Sequence, residues 1–358
     1  MTTWQGRLRL AFYACLLLAI AAKVAPGTRS AGQPQTEAPS ALASFDTSSD
    51  PRPRIAIVYE PGGRGSAGFN ELAWEGATRA AAKFDGELKE ITAGPYDTDA
   101  DREKRLKELA DELYYPIFAV GSTYAGPVAR VAPKYPRTWF GIVADETVDA
   151  KNVIGIQFHD EQGSFLVGAA AALTSKTGIV GFIGTVRTPV LEKFEAGFTA
   201  GVRAAKPHVK VQVAYLSRPP DAAGSSDPAK ARKAALAMYD AGADVIFGAG
   251  DAGNGVIQAA HERGRWAIGV NSDQYLLSDP SVRGAILTSM LKRADVATFT
   301  ITMEVAMQVP KDGNNVFGLD QGGVGFSTSG GFVDPIKAQL DAFAARIASG
   351  EILVPTTP

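Results

Sequence analysis

The sequence predicts an α/β protein of two lobes, each a parallel sheet wrapped by crossover helices. Short β-branched runs alternate with amphipathic stretches from Arg54 onward, the pattern of strand, helix and parallel strand. The runs fall into two successive series. The chain, at 358 residues, also exceeds the ~250–300 residues beyond which a single core stops growing. Two sheets fit these strands better than one sheet of twelve.

At the start of the chain, Arg7 and Arg9 precede a short apolar run, Leu10 to Ala22, which is too short for the ~20 residues of a membrane-spanning helix. This is the pattern of an export signal, with Ala19-Ile20-Ala21 offering small residues for cleavage after Ala21. Lipidation of Cys15 and an uncleaved anchor are the alternatives. Phe12 and Tyr13 are bulky for a lipobox, and most of the apolar run follows the cysteine. Residues 23–53 carry Pro, Ser, Thr, Ala and Gly with few large apolar side chains, and are expected to form a disordered tether.

The first series of predicted strands is Arg54–Tyr59, Leu88–Thr92, Ile117–Gly121, Trp139–Ala144 and Val153–Phe158. The second is Gly178–Ile183, Val209–Tyr215, Val245–Phe247, Trp266–Val270, Ala285–Thr288, Val316–Leu319 and Val324–Phe326. Helices are expected between them over Asn70–Phe84, Ala100–Leu113, Ala125–Ala132, Glu161–Leu173, Val190–Lys206, Pro228–Ala241, Gly253–Arg263, Arg293–Gln308 and Pro335–Ser349. The expected division is 54–157 with about 285–315 as the N-terminal lobe, and 158–284 with about 316–358 as the C-terminal lobe and hinge.

Composition excludes several functions. Lys plus Arg is 36 against 38 for Asp plus Glu, so the net charge of −2 offers nothing to nucleic acid or to an acidic membrane surface. Cys15 is the one cysteine, which leaves the body without a disulfide or a thiolate metal site. His159, His208 and His261 form no H-E-x-x-H pair and read as loop or helix-surface residues. Neither G-x-S-x-G nor a P-loop occurs. No catalytic set, cofactor or metal is therefore expected.

Ligands of open parallel sheets lie beyond the carboxyl ends of the strands. Those tips read Glu60-Pro61-Gly62-Gly63, Gly121-Ser122-Thr123, Asp145-Glu146, Gly184-Thr185, Gly248-Ala249-Gly250-Asp251 and Asn271-Ser272-Asp273. Gly248 to Gly253 also matches G-x-G-x-x-G, with Asp273 following 20 positions after Gly253. Taken alone that predicts a dinucleotide site. Its depth in the chain and the export signal favour a tight turn beside another ligand.

Several ordered motifs bring a family into view. Gly65-Ser66-Ala67-Gly68-Phe69-Asn70-Glu71-Leu72-Ala73-Trp74-Glu75-Gly76 resembles the D-x-S-F-N-Q-x-A-x-E-G motif of the basic membrane protein family, purine-nucleoside receptors of ABC importers. Pro189 to Phe198, Asp251 to Ile257, Trp266 to Gln274 and Thr288 to Asp295 agree with it in order along the folded body. The resemblance implies a type I periplasmic-binding-protein fold: two Rossmann-like lobes joined by a three-stranded hinge and closing on a ligand. It implies a purine ring between Phe69 and Phe194, with Asn70 and Asp145 on polar edges and Lys292 on a ribose hydroxyl or a carboxylate neighbour. Glu60, Gly250, Asp251, Asn271 and Asp273 complete the expected ligand-binding set. Glu60 stands where the family usually has aspartate, and so does Asn271, which puts the identity of the ligand in question. A free purine or a sugar-like molecule stays open beside a nucleoside.

The expected protein is thus an exported solute receptor, periplasmic or at the cell surface, a monomer that meets an ABC permease complex and touches the membrane only through it or an N-terminal anchor. Two alternatives are an α/β enzyme with a nucleotide cofactor at Gly248–Gly253, and a ligand-sensing partner of a membrane receptor.

Overall fold

Strands that bury both faces form the centres of two sheets in the computed structural model, which describes residues 52–65, 68–143, 145–250 and 253–358. The expected leader with Cys15 and nearly all of the tether lie outside the described residues. β1 (Arg54–Tyr59) buries five of its six residues. It pairs in parallel with β2 (Glu87–Thr92) on one side and β3 (Ile117–Val120) on the other. β4 (Phe140–Val143) and β5 (Val153–Phe158) continue the sheet, and both are apolar runs that are almost wholly buried. β2, the edge strand, instead buries none of its residues and carries Glu87, Lys89 and Glu90.

The second sheet repeats this plan with β6 (Ile179–Val186), β7 (Lys210–Ser217), β8 (Val245–Ala249), β9 (Trp266–Gly269) and β10 (Ile286–Lys292). Two late strands complete the pair: β11 (Gly313–Phe317) joins β5, and β12 (Val324–Phe326) runs antiparallel to β10. The orders are β2-β1-β3-β4-β5-β11 and β7-β6-β8-β9-β10-β12. Each sheet therefore reverses direction of growth at its first strand, which opens a crevice at the tips of β1 and β3 and at those of β6 and β8.

Helices cover the sheets according to their apolar stripes. α1 (Phe69–Phe84) buries Ala73, Gly76, Ala77, Ala80 and Ala81, small residues at helical spacing that admit another helix closely. α2 (Asp99–Asp111) starts with a full capping box between Thr98 and Asp101. α3 (Ala125–Val131) follows in the same lobe. α4 (Asp160–Thr174) is buried nearly all round against α5 (Pro189–Ala205); Gly168 lies against the Phe198 carbonyl, where any side chain would collide. α6 (Pro228–Asp240), α7 (Gly253–Arg263) and the one-turn α8 (Gln274–Leu277) serve the second sheet. α9 (Ala294–Ala306) returns to the first, where Thr298 Oγ1 donates to the Ala73 carbonyl at 2.9 Å. α10 (Lys337–Ala348) ends the chain's regular structure on the second.

The expected lobe border at 285–315 shifts. Ile286 pairs with Ala267, so β10 belongs to the second sheet, whereas β11 starts at Gly313 and pairs with the first along its whole length. Among the described residues the chain crosses between the sheets three times, at 158–160, 292–294 and 317–324. These crossings are bonded to one another. His159 N donates to the Phe317 carbonyl at 3.1 Å, Arg293 N to the Gly323 carbonyl at 2.8 Å, and Leu319 N to Gln162 Oε1 at 2.9 Å.

Candidate functional site

A cavity of about 370 Å³ opens where α1 of the first lobe meets the strand tips of the second. From the first lobe come Phe69 and Asn70, in the first turn of α1. From the second come Gly248 and Gly250 at the end of β8, Gly253, Asn254 and Ile257 on α7, and the segment Gly269 to Ser272 at the end of β9, with Gln274 following it. Glycines at the tips thin the wall, and Gly250 has φ of 102°, a conformation side chains rarely adopt. A Cβ there would strike Thr185 at the tip of β6. Carboxamides of Asn70, Asn254, Asn271 and Gln274 put donors and acceptors on a wall that otherwise joins Phe69, Ile257 and Val270 to Ser272 and glycine backbone.

Four of the ten expected ligand residues therefore meet in one wall: Phe69, Asn70, Gly250 and Asn271. Asn70 lies inside the helix rather than at its cap, and its Nδ2 donates to the Gly63 carbonyl at 2.8 Å, tying α1 to the loop after β1. Asn271 has φ of 66°. Its carbonyl accepts from Lys292 N at 2.9 Å, and its Oδ1 is buried without a hydrogen-bond donor among the described residues. Such an acceptor is costly unless something else supplies a hydrogen.

Phe194 and Lys292 stand just behind this wall. Phe194 is 2% exposed and packs at 6.2 Å, tilted by 42°, on Phe247. Phe69 meets Phe158 edge to face at 6.0 Å. Between these two aromatic pairs lies the Lys292 ammonium, 5.1 Å from the Phe194 ring centre and 5.9 Å from that of Phe158. Its partner is Asp160 Oδ1 at 2.9 Å. Burial pushes the Asp160 carboxyl up from the usual carboxylate range, and the Lys292 charge opposes that rise. Sequence reasoning missed Asp160, which reads as an ordinary acidic residue in a first helical turn.

The remaining carboxylates hold the scaffold. Glu60 Oε1 accepts from Thr123 N at 2.9 Å, joining the tips of β1 and β3. Asp145 Oδ1 accepts from Thr147 N at 2.8 Å and Thr147 Oγ1 at 2.7 Å, closing its own turn. Asp273 caps α8 through Tyr275 N at 3.2 Å, and its other oxygen accepts from Ser327 Oγ and Ser329 Oγ, both at 2.6 Å. These bonds give all three a structural role, and none of the three lines the cavity. Asp251 lies outside the described residues. Of the wall residues outside the expected ligand set, Gly248, Gly269, Val270 and Ser272 sit at or just after β8 and β9, within reach of the strand-tip rule, whereas Gly253, Asn254 and Ile257 lie on α7 and Gln274 starts α8.

Closeness of the lobes is enforced at Gly68, with φ of 50° and ψ of −52°. A Cβ at this position would collide with Ser272, and Leu277 lies beside it. The first lobe's helix start is thus seated directly on the second lobe's strand tip.

Two sheets of this order, three crossings and a cleft between the lobes define a solute-binding protein of the type I fold. Solved structures agree. The chain superposes on an ABC transporter solute-binding protein from Aeropyrum pernix K1 with a TM-score of 0.64 and 26% identity, covering 85% of this chain and 94% of that one. On an ABC transporter solute-binding protein from Conexibacter woesei the TM-score is 0.70 at 22% identity, covering 85% and 100%, which shows the fold. A protein called CD4+ T-cell-stimulating antigen, from Listeria monocytogenes, is 34% identical over 327 residues, 85% of this chain and 88% of its own length. The ABC transporter nucleoside-binding protein BmpA of Lactococcus lactis is 30% identical, covering 85% and 89%. The model of the Bmp family, described as ABC transporter substrate-binding protein PnrA-like, matches residues 54–357, and the chain belongs to this family. Its members are extracytoplasmic receptors that bind small molecules and work with permease components; they are not enzymes. Among the described residues no helix is long and apolar enough to cross a membrane.

Proposed function

We propose that this receptor binds a purine nucleoside, or a close relative such as a free purine, and delivers it as a monomer to its permease. The observation that carries this is the wall that joins the Phe69 ring to four carboxamides around about 370 Å³, a volume within the usual range for small-molecule sites. A flat base gains ~1–3 kcal/mol from each aromatic face it stacks on. The carboxamides match the mixed donors and acceptors of a purine edge, and the buried Asn271 Oδ1 accepts a ligand N–H or O–H. The nucleoside-binding relative from Lactococcus lactis supports the same class of ligand. Residues 54 onward then face the outside of the cell, released from the leader or held at the surface through it.

The Gly248–Gly250 turn serves here as a thin wall of the cleft, at the third strand of its sheet rather than at the first crossover of a dinucleotide fold. Native mass spectrometry of protein purified from its own host identifies the bound molecule. A purine nucleoside or base is the expected mass. A nicotinamide dinucleotide in its place would overturn the proposal.

A further inference from the structure

A second cavity, of about 500 Å³, adjoins the first, with Asn254, Ile257 and Gln274 lining both. Beyond that shared wall it is bounded by Gly65 of the first lobe and by Gln258, Leu277, Ser278, Asp279 and Val282 of the second. We infer that the receptor takes two-part ligands, with the purine in the inner cavity and a hydroxylated or amine-bearing arm in the outer one. The inference rests on the nucleoside-binding role proposed above and adds a subsite to it. Residues of both lobes bound the outer cavity, so an arm seated there is held by the same approach of the lobes that holds the base.

The lining sets the chemistry of the arm. Asn254 and Gln258 stand one helical turn apart on α7, on one face with Ile257, so their carboxamides form a polar edge that runs from one cavity into the other. Both side chains are exposed and open to a ligand. Past α8, Asp279 Oδ1 accepts from Ser281 N at 2.8 Å and Ser281 Oγ at 2.6 Å, which leaves Oδ2 for an ammonium or a hydroxyl. Leu277 and Val282 offer apolar surface to a carbon chain. Among the described residues no lysine or arginine lines either cavity. The cations next to Gly65 and Val282 are engaged elsewhere: Arg64 Nε pairs with Glu90 at 3.1 Å, and Arg283 stacks over the Tyr275 ring at 5.2 Å. A phosphate in the outer cavity would thus stand unpaired beside a carboxylate, and a nucleotide is refused. Room exists on the first-lobe side, where no heavy atom of the described residues lies within 4 Å of the position a Cβ at Gly65 would take.

Titration calorimetry with adenosine, guanosine and inosine finds the tightest parent, which is then compared with its derivatives bearing a 6-aminohexyl arm at C2, C8 or C5′ and with its 5′-monophosphate. At least one armed derivative should bind the wild type within about threefold of its parent, whereas the monophosphate should lose about tenfold or more. Gln258→Trp and Gly65→Leu fill the outer cavity from opposite lobes without touching the inner one. Each should weaken the armed derivative about tenfold or more and the parent about twofold or less. A wild type that binds the parent but rejects all three armed derivatives would overturn the inference. So would equal effects on parent and derivative in both variants, or a monophosphate bound as tightly as its parent. Crystals of the wild type soaked in 6-amino-1-hexanol test the outer subsite without any nucleoside. An amine at Asp279 with its chain along Leu277 and Val282 supports the inference, and an outer cavity that holds only water refutes it. Wild-type protein that binds none of the three nucleosides would instead remove the nucleoside proposal, with the soaked crystal still deciding the outer subsite.

Discussion

Gly68→Ala separates the strain of a backbone from the closing of a cleft. The dihedral angles at Gly68, φ 50° and ψ −52°, lie where a side chain is strained, at a cost of ~1–3 kcal/mol to the folded state whether the lobes are open or closed. The second cost belongs to lobes held together as in this structure, with Gly68 against Ser272. The added methyl group would collide with Ser272, which is 4% exposed and has little room to retreat, and would press on Leu277. Overpacking of that kind costs ~1–3 kcal/mol, and because it is charged only on closing it appears as a roughly 5- to 150-fold loss of ligand affinity. Urea unfolding without ligand measures the first cost, and titration calorimetry with ligand the second. A variant that loses stability but binds as tightly as the wild type would refute the claim that α1 seats on the tip of β9 when ligand is held.

Four further outcomes follow from the same structure. Phe69→Ala should weaken a purine nucleoside and a free purine alike, by ~1–3 kcal/mol or roughly 5- to 150-fold in calorimetry, since stacking needs only a flat ring. Asp273→Ala should lower stability in urea by ~1.5–3 kcal/mol, because Tyr275 N and two hydroxyls lose their shared acceptor; unchanged stability would mean that this clamp carries nothing. Thr98→Ala removes one half of a capping box and should cost ~1 kcal/mol by the same measurement. His159 is held above its ordinary value chiefly by its bond to Glu161, so the wild type should have an advantage over His159→Gln that is complete below about pH 6.5, the unfolded value, and fades as pH rises through the folded one; an advantage that grew with pH would reverse the assignment.

Strand runs such as Arg54–Tyr59 and Val245–Phe247 were legible because parallel strands covered on both faces must be continuously apolar. β11 was not placed correctly for the same reason. Gly313-Asn314-Asn315 has no strand signature of its own and is held extended by pairing with β5, a partner 159 positions away at Gly313–Ile154. Which sheet a late strand joins depends on such distant pairings, so the exchange of β10 and β11 between lobes stayed hidden. At the site, the glycines and amides of the strand tips were readable from position. The engagements of the carboxylates were not readable, because a tip carboxylate looks alike in sequence whether it faces a ligand or is engaged by Thr123, Thr147 or the Ser327 and Ser329 pair. Asp160 was invisible for the converse reason: its burial and its partner Lys292 arise only when two hinge crossings lie side by side.

The central claim is that one small purine compound is held between the lobes. Titration calorimetry of the ligand-free wild type with adenosine, guanosine, inosine and the matching bases tests it most directly. The account predicts saturable binding of at least one of them at one molecule per chain. No measurable heat from any of the six, in a preparation shown to be folded and ligand-free, would contradict it.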